Sequence, residues 1–192
     1  MKIIALEGLD GAGKTTLFER LKRSKGLPKC VFTGELQSEI GYLLKTKREW
    51  LADPLIKLHA FAADRAVTYS LLSKSSASGS IVVWDRYLYS ALAYREAELR
   101  LGRSSLGLAE ATQVNRTFPQ AALIIYLEVP IECAIARKGG DPALLEQVDQ
   151  CYKELLDSMG VPYRKVNGTG SPEAVAADVE GAINDAIADL EE

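Results

Sequence analysis

The chain has 192 residues, 47% of them apolar and 26% charged, with 23 basic against 26 acidic side chains for a formal net charge of −3. That balance is ordinary for one soluble globular domain and excludes disorder, collagen-like repeats and coiled coil. No run approaches the roughly 18 uncharged apolar residues of a membrane span, and a pI near 5.4 offers no global positive field for nucleic acid.

In chain order, the first predicted strand is Lys2–Leu6. It is too short and too soon acidic for a secretory signal, so a cytoplasmic location is expected. A glycine-rich loop follows, then a helical segment opening Thr16-Leu17-Phe18 and a second strand over Lys29–Thr33. Asp53-Pro54 marks a helix start, because an N-cap side chain precedes proline at the first helical position. The apolar residues Leu55, Leu58, Phe61, Ala62, Val67, Leu71 and Leu72 of Pro54–Lys74 then predict a long helix with one buried face. His59, the only histidine, reads as a packed residue of that helix. The serine-rich Ser73–Ser80 is a connector, followed by strands at Ser80–Trp84, Ala121–Leu127 and Val161–Val166. Asp141-Pro142 and Ser171-Pro172-Glu173 mark two further helix starts. Strands alternating with helices predict a parallel sheet covered on both faces. Cys30, Cys133 and Cys151 are odd in number and lack metal-site spacing.

Gly8-Leu9-Asp10-Gly11-Ala12-Gly13-Lys14-Thr15 matches GxxxxGK[ST] between a strand and a helix. Such a loop cradles phosphates with successive N–H groups and a helix N-terminus. Lys14 reaches the outer phosphates and Thr15 offers a hydroxyl to Mg²⁺. Gly8, Gly11, Ala12, Gly13, Lys14, Thr15 and Thr16 are therefore the expected nucleotide-binding residues. Asp85 stands at the C-terminal end of an apolar strand, where parallel sheets bind ligands, and is a second candidate for the Mg²⁺ shell. Arg86, beside it, is a bidentate donor suited to phosphate.

Beyond this loop, the chain resembles the thymidylate kinase family of P-loop nucleoside monophosphate kinases. The resemblance runs through Leu6–Thr16, Ser38-Glu39-Ile40-Gly41, Phe61-Ala62-Ala63-Asp64-Arg65, then Asp85-Arg86-Tyr87 with Ser90, Ala93 and Tyr94 in a DRYxxSxxAY pattern, and Ile124–Pro130. It implies an α/β P-loop NTPase fold over residues 1–192, with a five-stranded parallel sheet, helices on both faces and a short lid near 136–141. It further implies transfer of the ATP γ-phosphoryl group to dTMP with Mg²⁺ and a homodimer formed by helices.

Residue by residue, the resemblance makes Arg65 the base reader, with Phe61 near the thymine pocket. Arg86 becomes the holder of the acceptor phosphate and Asp10 a loop acid contacting the monophosphate. Tyr87 and Tyr94 are expected as sugar and base walls, with Phe32 adding an edge. Asn167 opens the loop expected to meet adenine.

Three departures qualify the match. Thr33-Gly34-Glu35-Leu36-Gln37 stands where the family reads TREPGG, so Glu35 remains but an arginine is missing. Arg95 replaces the glutamine of AYQ and sets a charge beside the base. Only Arg137 and Lys138 precede Gly139-Gly140 in place of an arginine-rich lid, which makes Arg137, with Lys138 as deputy, the expected catalytic cation. These departures keep open a kinase for another deoxynucleoside monophosphate or a deoxynucleoside, and a weakly catalytic regulatory protein. A GTPase switch is disfavoured because no NKxD follows the loop.

Overall fold

A computed structural model describes residues 1–27, 30–75 and 79–191. The predicted strand start at Lys29, residues 76–78 of the connector and Glu192 lie outside the described residues. Five strands, β1 (Lys2–Gly8), β2 (Cys30–Gly34), β3 (Ile81–Asp85), β4 (Leu123–Glu128) and β5 (Tyr163–Asn167), form one sheet in the order β2-β3-β1-β4-β5. Every neighbouring pair is parallel. In β1, successive residues from Ile3 to Gly8 are all buried, which requires cover on both faces of the sheet.

The helices supply that cover: α1 (Lys14–Leu21), α2 (Glu39–Thr46), α3 (Pro54–Ser75), α4 (Leu88–Arg100), α5 (Leu108–Asn115), α6 (Ile131–Lys138), α7 (Pro142–Ser158) and α8 (Pro172–Glu191). The three Asp-Pro and Ser-Pro starts open α3, α7 and α8. The Asp53 carboxylate accepts from the N–H groups of Leu55 and Ile56, Asp141 from that of Ala143, and the Ser171 hydroxyl from that of Ala174. Each satisfies donors that the first helical turn leaves without an intrahelical partner.

The strand order puts β1 between β3 and β4, so the loop after β1 emerges between two neighbours. Registers Leu6 to Asp85, Gly34 to Asp85 and Gly8 to Leu127 bring these strand ends level. One edge of the sheet therefore gathers the glycine-rich loop, Asp85 and the segment after β2.

α3 departs from its expected pattern. Leu58 and Ala62 are buried, but Leu55, Val67 and Leu71 are 55%, 36% and 60% exposed. His59 lies on the same exposed stripe and is not packed. The face turned inward instead buries Asp64, Arg65 and Thr68. Asp64 and Arg65 occupy it because neighbouring loops and α5 supply their hydrogen-bond partners, which periodicity along α3 cannot reveal, whereas the Thr68 hydroxyl is buried without one.

Candidate active site

The loop between β1 and α1 owes its path to glycine. Gly11 and Gly13 have φ of 83° and 101°, a region side chains rarely enter. A Cβ on Gly11 would lie 2.1 Å from the Ala134 carbonyl oxygen of α6, so the loop and that helix touch backbone to backbone. Gly13 is the N-cap of α1 and makes no side-chain cap, which leaves first-turn N–H groups for an anion. Thr15 and Thr16 are exposed on that turn. Lys14 folds back, its Nζ donating to the carbonyls of Gly8 at 2.7 Å and Leu9 at 2.6 Å. Burial, reinforced by the nearby Arg86 charge, pushes its ammonium down to about 7.

At the end of β3, Asp85 and Arg86 do not pair with each other among the described ion pairs. Asp85 Oδ1 is buried with no hydrogen-bond partner, and burial raises its carboxyl against the pull of Lys14 and Arg86. Arg86 has φ of 61°. Its guanidinium engages the Asp10 carboxylate, lies 3.9 Å from Glu35 and stands over the Tyr94 ring. Lys138 Nζ also donates to Asp10, at 3.1 Å. Burial works against ionisation of Asp10, but Arg86 and Lys138 outweigh it and hold the carboxyl below its usual range.

Asp10, Glu35, Arg86, Tyr94 and Lys138, but not Asp85, border a cavity of about 380 Å³, of the size small-molecule sites occupy. Six of the expected substrate residues line it: Asp10, Glu35, Phe61, Arg86, Tyr94 and Arg95. Burial pushes the Glu35 carboxyl up to about 7, although Arg86 draws it down. The Tyr94 hydroxyl accepts from the Asp10 N–H at 3.0 Å. Arg95 is 3% exposed, pairs with Glu98 and keeps Nη1 buried without a partner. Glu98 also takes Lys57 Nζ at 2.8 Å.

Three expected substrate residues do not line this cavity. Tyr87 is fully buried, donates to the Pro119 carbonyl at 2.9 Å and packs on Trp84 and Tyr89. Its side chain follows the turned backbone at Arg86 into the core. Phe32 makes an edge contact with Phe18, 5.7 Å between ring centroids, under α1. Arg65 is held between elements, its Nη1 donating to Asn115 Oδ1 at 2.5 Å and Nη2 to the Tyr87 carbonyl at 3.1 Å.

Across the loop, a cleft of about 190 Å³ is lined by Gly13, Thr16, Arg137, Gly168 and Gly170 among others. Arg137 Nη1 donates to the carbonyls of Ala12 at 3.2 Å and Gly168 at 3.1 Å, tying the loop to the β5–α8 connection. Asn167 turns its Oδ1 to the N–H and hydroxyl of Thr169, so it shapes that connection from within. Consecutive residues of one helical turn thus serve opposite sides of the loop, Arg137 the cleft and Lys138 the cavity.

Sequence reasoning passed over Glu7, Asp64, Lys57 and Glu98. Glu7 signals itself as a charge inside an apolar strand, and Asp64 as a charge on the inward face of α3. Asp64 accepts from the N–H groups of Leu36 and Ser38 and from the Ser38 hydroxyl, anchoring the loop that carries Glu35.

The family model for thymidylate kinase matches residues 6–178. A protein of Halobacterium salinarum strain R1, described as a probable thymidylate kinase, is 34% identical over 97% of this chain and 98% of its own. Among solved structures, thymidylate kinase from Candida albicans superposes with a TM-score of 0.75 at 21% identity, covering 97% of this chain and 93% of that one. Deoxyadenosine kinase from M. mycoides superposes with 0.70 at 16% identity, covering 96% and 100%. At such identities the two structures share the fold alone, but the family model spans most of the sequence and the archaeal relative nearly all of it. The chain belongs to the thymidylate kinase family.

Proposed function

We infer that this chain transfers the γ-phosphoryl group of ATP to dTMP, giving dTDP and ADP. The observation that carries the reading is the cavity itself: a second substrate chamber abuts the phosphate loop and is bordered by Arg86 and Lys138. A hydrolytic switch needs room only for water there. ATP lies along the cleft, its adenine between Arg137 and the Gly168–Gly170 backbone and its phosphates on the loop from Gly8 to Thr16. The acceptor phosphate meets Arg86, displacing part of the Asp10 contact. Phe61 and Tyr94 flank the acceptor nucleoside, and Arg95 with Glu98 stands at its base.

Phosphoryl transfer of this kind depends on alignment and charge neutralisation more than on covalent participation by protein. Lys14 neutralises the β- and γ-phosphates from one side and Lys138 from the other. Arg137, the cation that the sequence puts in that role with Lys138 as deputy, is instead engaged with the carbonyls of Ala12 and Gly168. Gly139 and Gly140, with φ of 74° and 127°, let the segment 136–141 close and exclude water. The residues fit Mg²⁺: the unpartnered Asp85 Oδ1 and the exposed Thr15 hydroxyl are both oxygen donors at the loop. When bound there, the ion supplies additional positive charge to the phosphate oxygens. Residues 1–192 act as one domain in the cytoplasm, and the described helices include none long and apolar enough to cross a membrane. The exposed apolar stripe of α3 and its neighbours on α2 suit a homodimer.

The test is ADP release with ATP and Mg²⁺ over a panel of acceptors: the monophosphates of thymidine, deoxyuridine, deoxycytidine, deoxyguanosine and uridine, free thymidine, and none. Turnover that requires dTMP is expected. Preference for another monophosphate would transfer the assignment to that acceptor and make Arg95 its selector. Preference for free thymidine would favour a nucleoside kinase, and acceptor-independent turnover would overturn the reading.

A further inference from the structure

Among the described residues, Leu36 and Arg86 alone combine a side chain with positive φ, at 57° and 61°. Both sit beside the acceptor cavity, Leu36 next to Glu35 and Arg86 on its wall. Backbone of this kind is strained and persists only where the surroundings over-determine it. Each turn is pinned by a buried carboxylate. Asp64 takes the Leu36 N–H at 2.7 Å. At the other turn, the Arg86 N–H donates to the Leu6 carbonyl at 3.0 Å and the next N–H, of Tyr87, donates to Glu7 Oε1 at 2.9 Å.

Glu7 has no exposed surface. Its Oε2 accepts from Ser90 Oγ at 2.5 Å and from the Tyr152 hydroxyl at 3.0 Å. Ser90 Oγ and the Tyr152 hydroxyl are themselves 2.9 Å apart. One carboxylate on the strand leading into the phosphate loop therefore holds the turn after β3, the first turn of α4 and the middle of α7. Glu7 itself does not line the cavity, although Ser90, which donates to it, does. Burying a carboxylate for packing alone is costly, and burial does raise its carboxyl above the usual range against the pull of Ser90 and Tyr152.

We propose that Glu7 is a positioning residue for acceptor binding: it fixes the left-handed turn at Arg86, so that the guanidinium is presented to the acceptor phosphate before substrate arrives. Tyr152 completes the device by clamping the carboxylate from α7, the helix that follows the lid. Glu7→Gln keeps an amide oxygen for the Tyr87 N–H but sets an NH2 donor against the Ser90 and Tyr152 hydroxyls, which loosens the clamp on that acceptor, so that the backbone at Arg86 relaxes toward negative φ and the guanidinium leaves the cavity wall. The inference rests on the reading of Arg86 as the acceptor-phosphate ligand.

A kinetic double-mutant cycle on the full chain separates the two, using Glu7→Gln, Arg86→Ala and their combination, with dTMP and ATP varied in turn. Glu7→Gln is expected to lower kcat/KM for dTMP about tenfold, the scale of one disrupted buried hydrogen-bond arrangement, while KM for ATP changes less than about twofold. In the Arg86→Ala background the same substitution is expected to cost almost nothing further in kcat/KM, although both Glu7→Gln proteins unfold at lower temperature. Tyr152→Phe, which removes one hydroxyl and retains the ring, provides the same cycle if Glu7→Gln does not fold. Equal losses from Glu7→Gln in the presence and absence of the Arg86 side chain would overturn the proposal and leave Glu7 a structural residue. Equal rises in KM for ATP and dTMP would overturn it as well. A normal KM for dTMP in Arg86→Ala alone would instead remove the reading of Arg86, and the inference with it.

Discussion

Arginine occurs three times in the segments expected to meet the acceptor nucleotide, and environment assigns each a different task. Arg86 shares Asp10 with Lys138 and lines the cavity, a pairing that a phosphate can replace. Arg95 is clamped by Glu98 at the far wall. Arg65, four residues after Phe61, is 3% exposed and lies between the Tyr87 and Phe118 rings at 5.9 and 5.6 Å. Its partners are Asn115 on α5 and the backbone after β3, so it joins three elements. Arg65→Ala strands the Asn115 acceptor in a buried site and is expected to destabilise the fold by about 3 kcal/mol. Chemical denaturation measures the loss. A variant with unchanged stability and relaxed preference among bases would return Arg65 to the base-reading role that family resemblance implies.

At the scale of elements, the phosphate loop was legible because its requirements are local. Glycines, lysine and threonine at fixed spacing describe a backbone that must approach an anion, and no distant partner is needed to recognise it. The helix starts were legible for the same reason, since an N-cap and the proline after it act within one turn. The inward face of α3 and the direction of Tyr87 were not legible. Asp64, Arg65 and Thr68 are buried by partners distant in sequence, and Tyr87 turns inward because Arg86 takes a left-handed conformation that alternation along a strand does not encode.

The contact between loop and α6 makes two element-scale predictions. An alanine at Gly11 must push its Cβ into the Ala134 carbonyl, while at Gly139 it meets nothing within 4 Å and bears only the strain of φ 74°. Gly11→Ala is therefore expected to abolish ATP binding and lower the unfolding temperature, whereas Gly139→Ala, at φ 74° and ψ −164° in a region nearly restricted to glycine, costs about 1–3 kcal/mol of stability. Calorimetry with ATP and thermal unfolding of both variants test the contrast, and intact ATP affinity in Gly11→Ala would refute it. The last turn of α6 divides labour in the same way. Lys138→Ala is expected to reduce kcat at least about tenfold through lost charge on the transferring group, with partial rescue by arginine. Arg137→Ala is expected to raise KM for ATP with a smaller effect on kcat. The reverse pattern in steady-state kinetics would exchange their roles.

At the scale of the whole molecule, the apolar surface is unevenly distributed. Leu55, Val67 and Leu71 recur at four-residue multiples along α3, Ile56 adjoins them at 42% exposed, and Tyr42 and Leu43 stand 70% and 42% exposed on α2. Single exposed leucines need no explanation, but a stripe running along a long helix and joined by a second helix is the kind of surface that association covers. The same helix turns Phe61 and Leu58 toward the acceptor cavity, so a partner packed on its outer face would brace the cavity wall from behind. Self-association of folded chains couples stability to concentration, because dilution favours the uncovered monomer and the monomer unfolds more readily. The unfolding temperature of the chain is therefore expected to rise with protein concentration, and light scattering or sedimentation to report twice the chain mass. Leu55→Asp combined with Leu71→Asp places two charges in the stripe without touching the core. That variant is expected to sediment as a monomer, to unfold at a temperature independent of concentration, and to retain ATP binding. A parent chain that is already monomeric at micromolar concentration, with no such dependence, would exclude the dimer and leave the stripe for another partner.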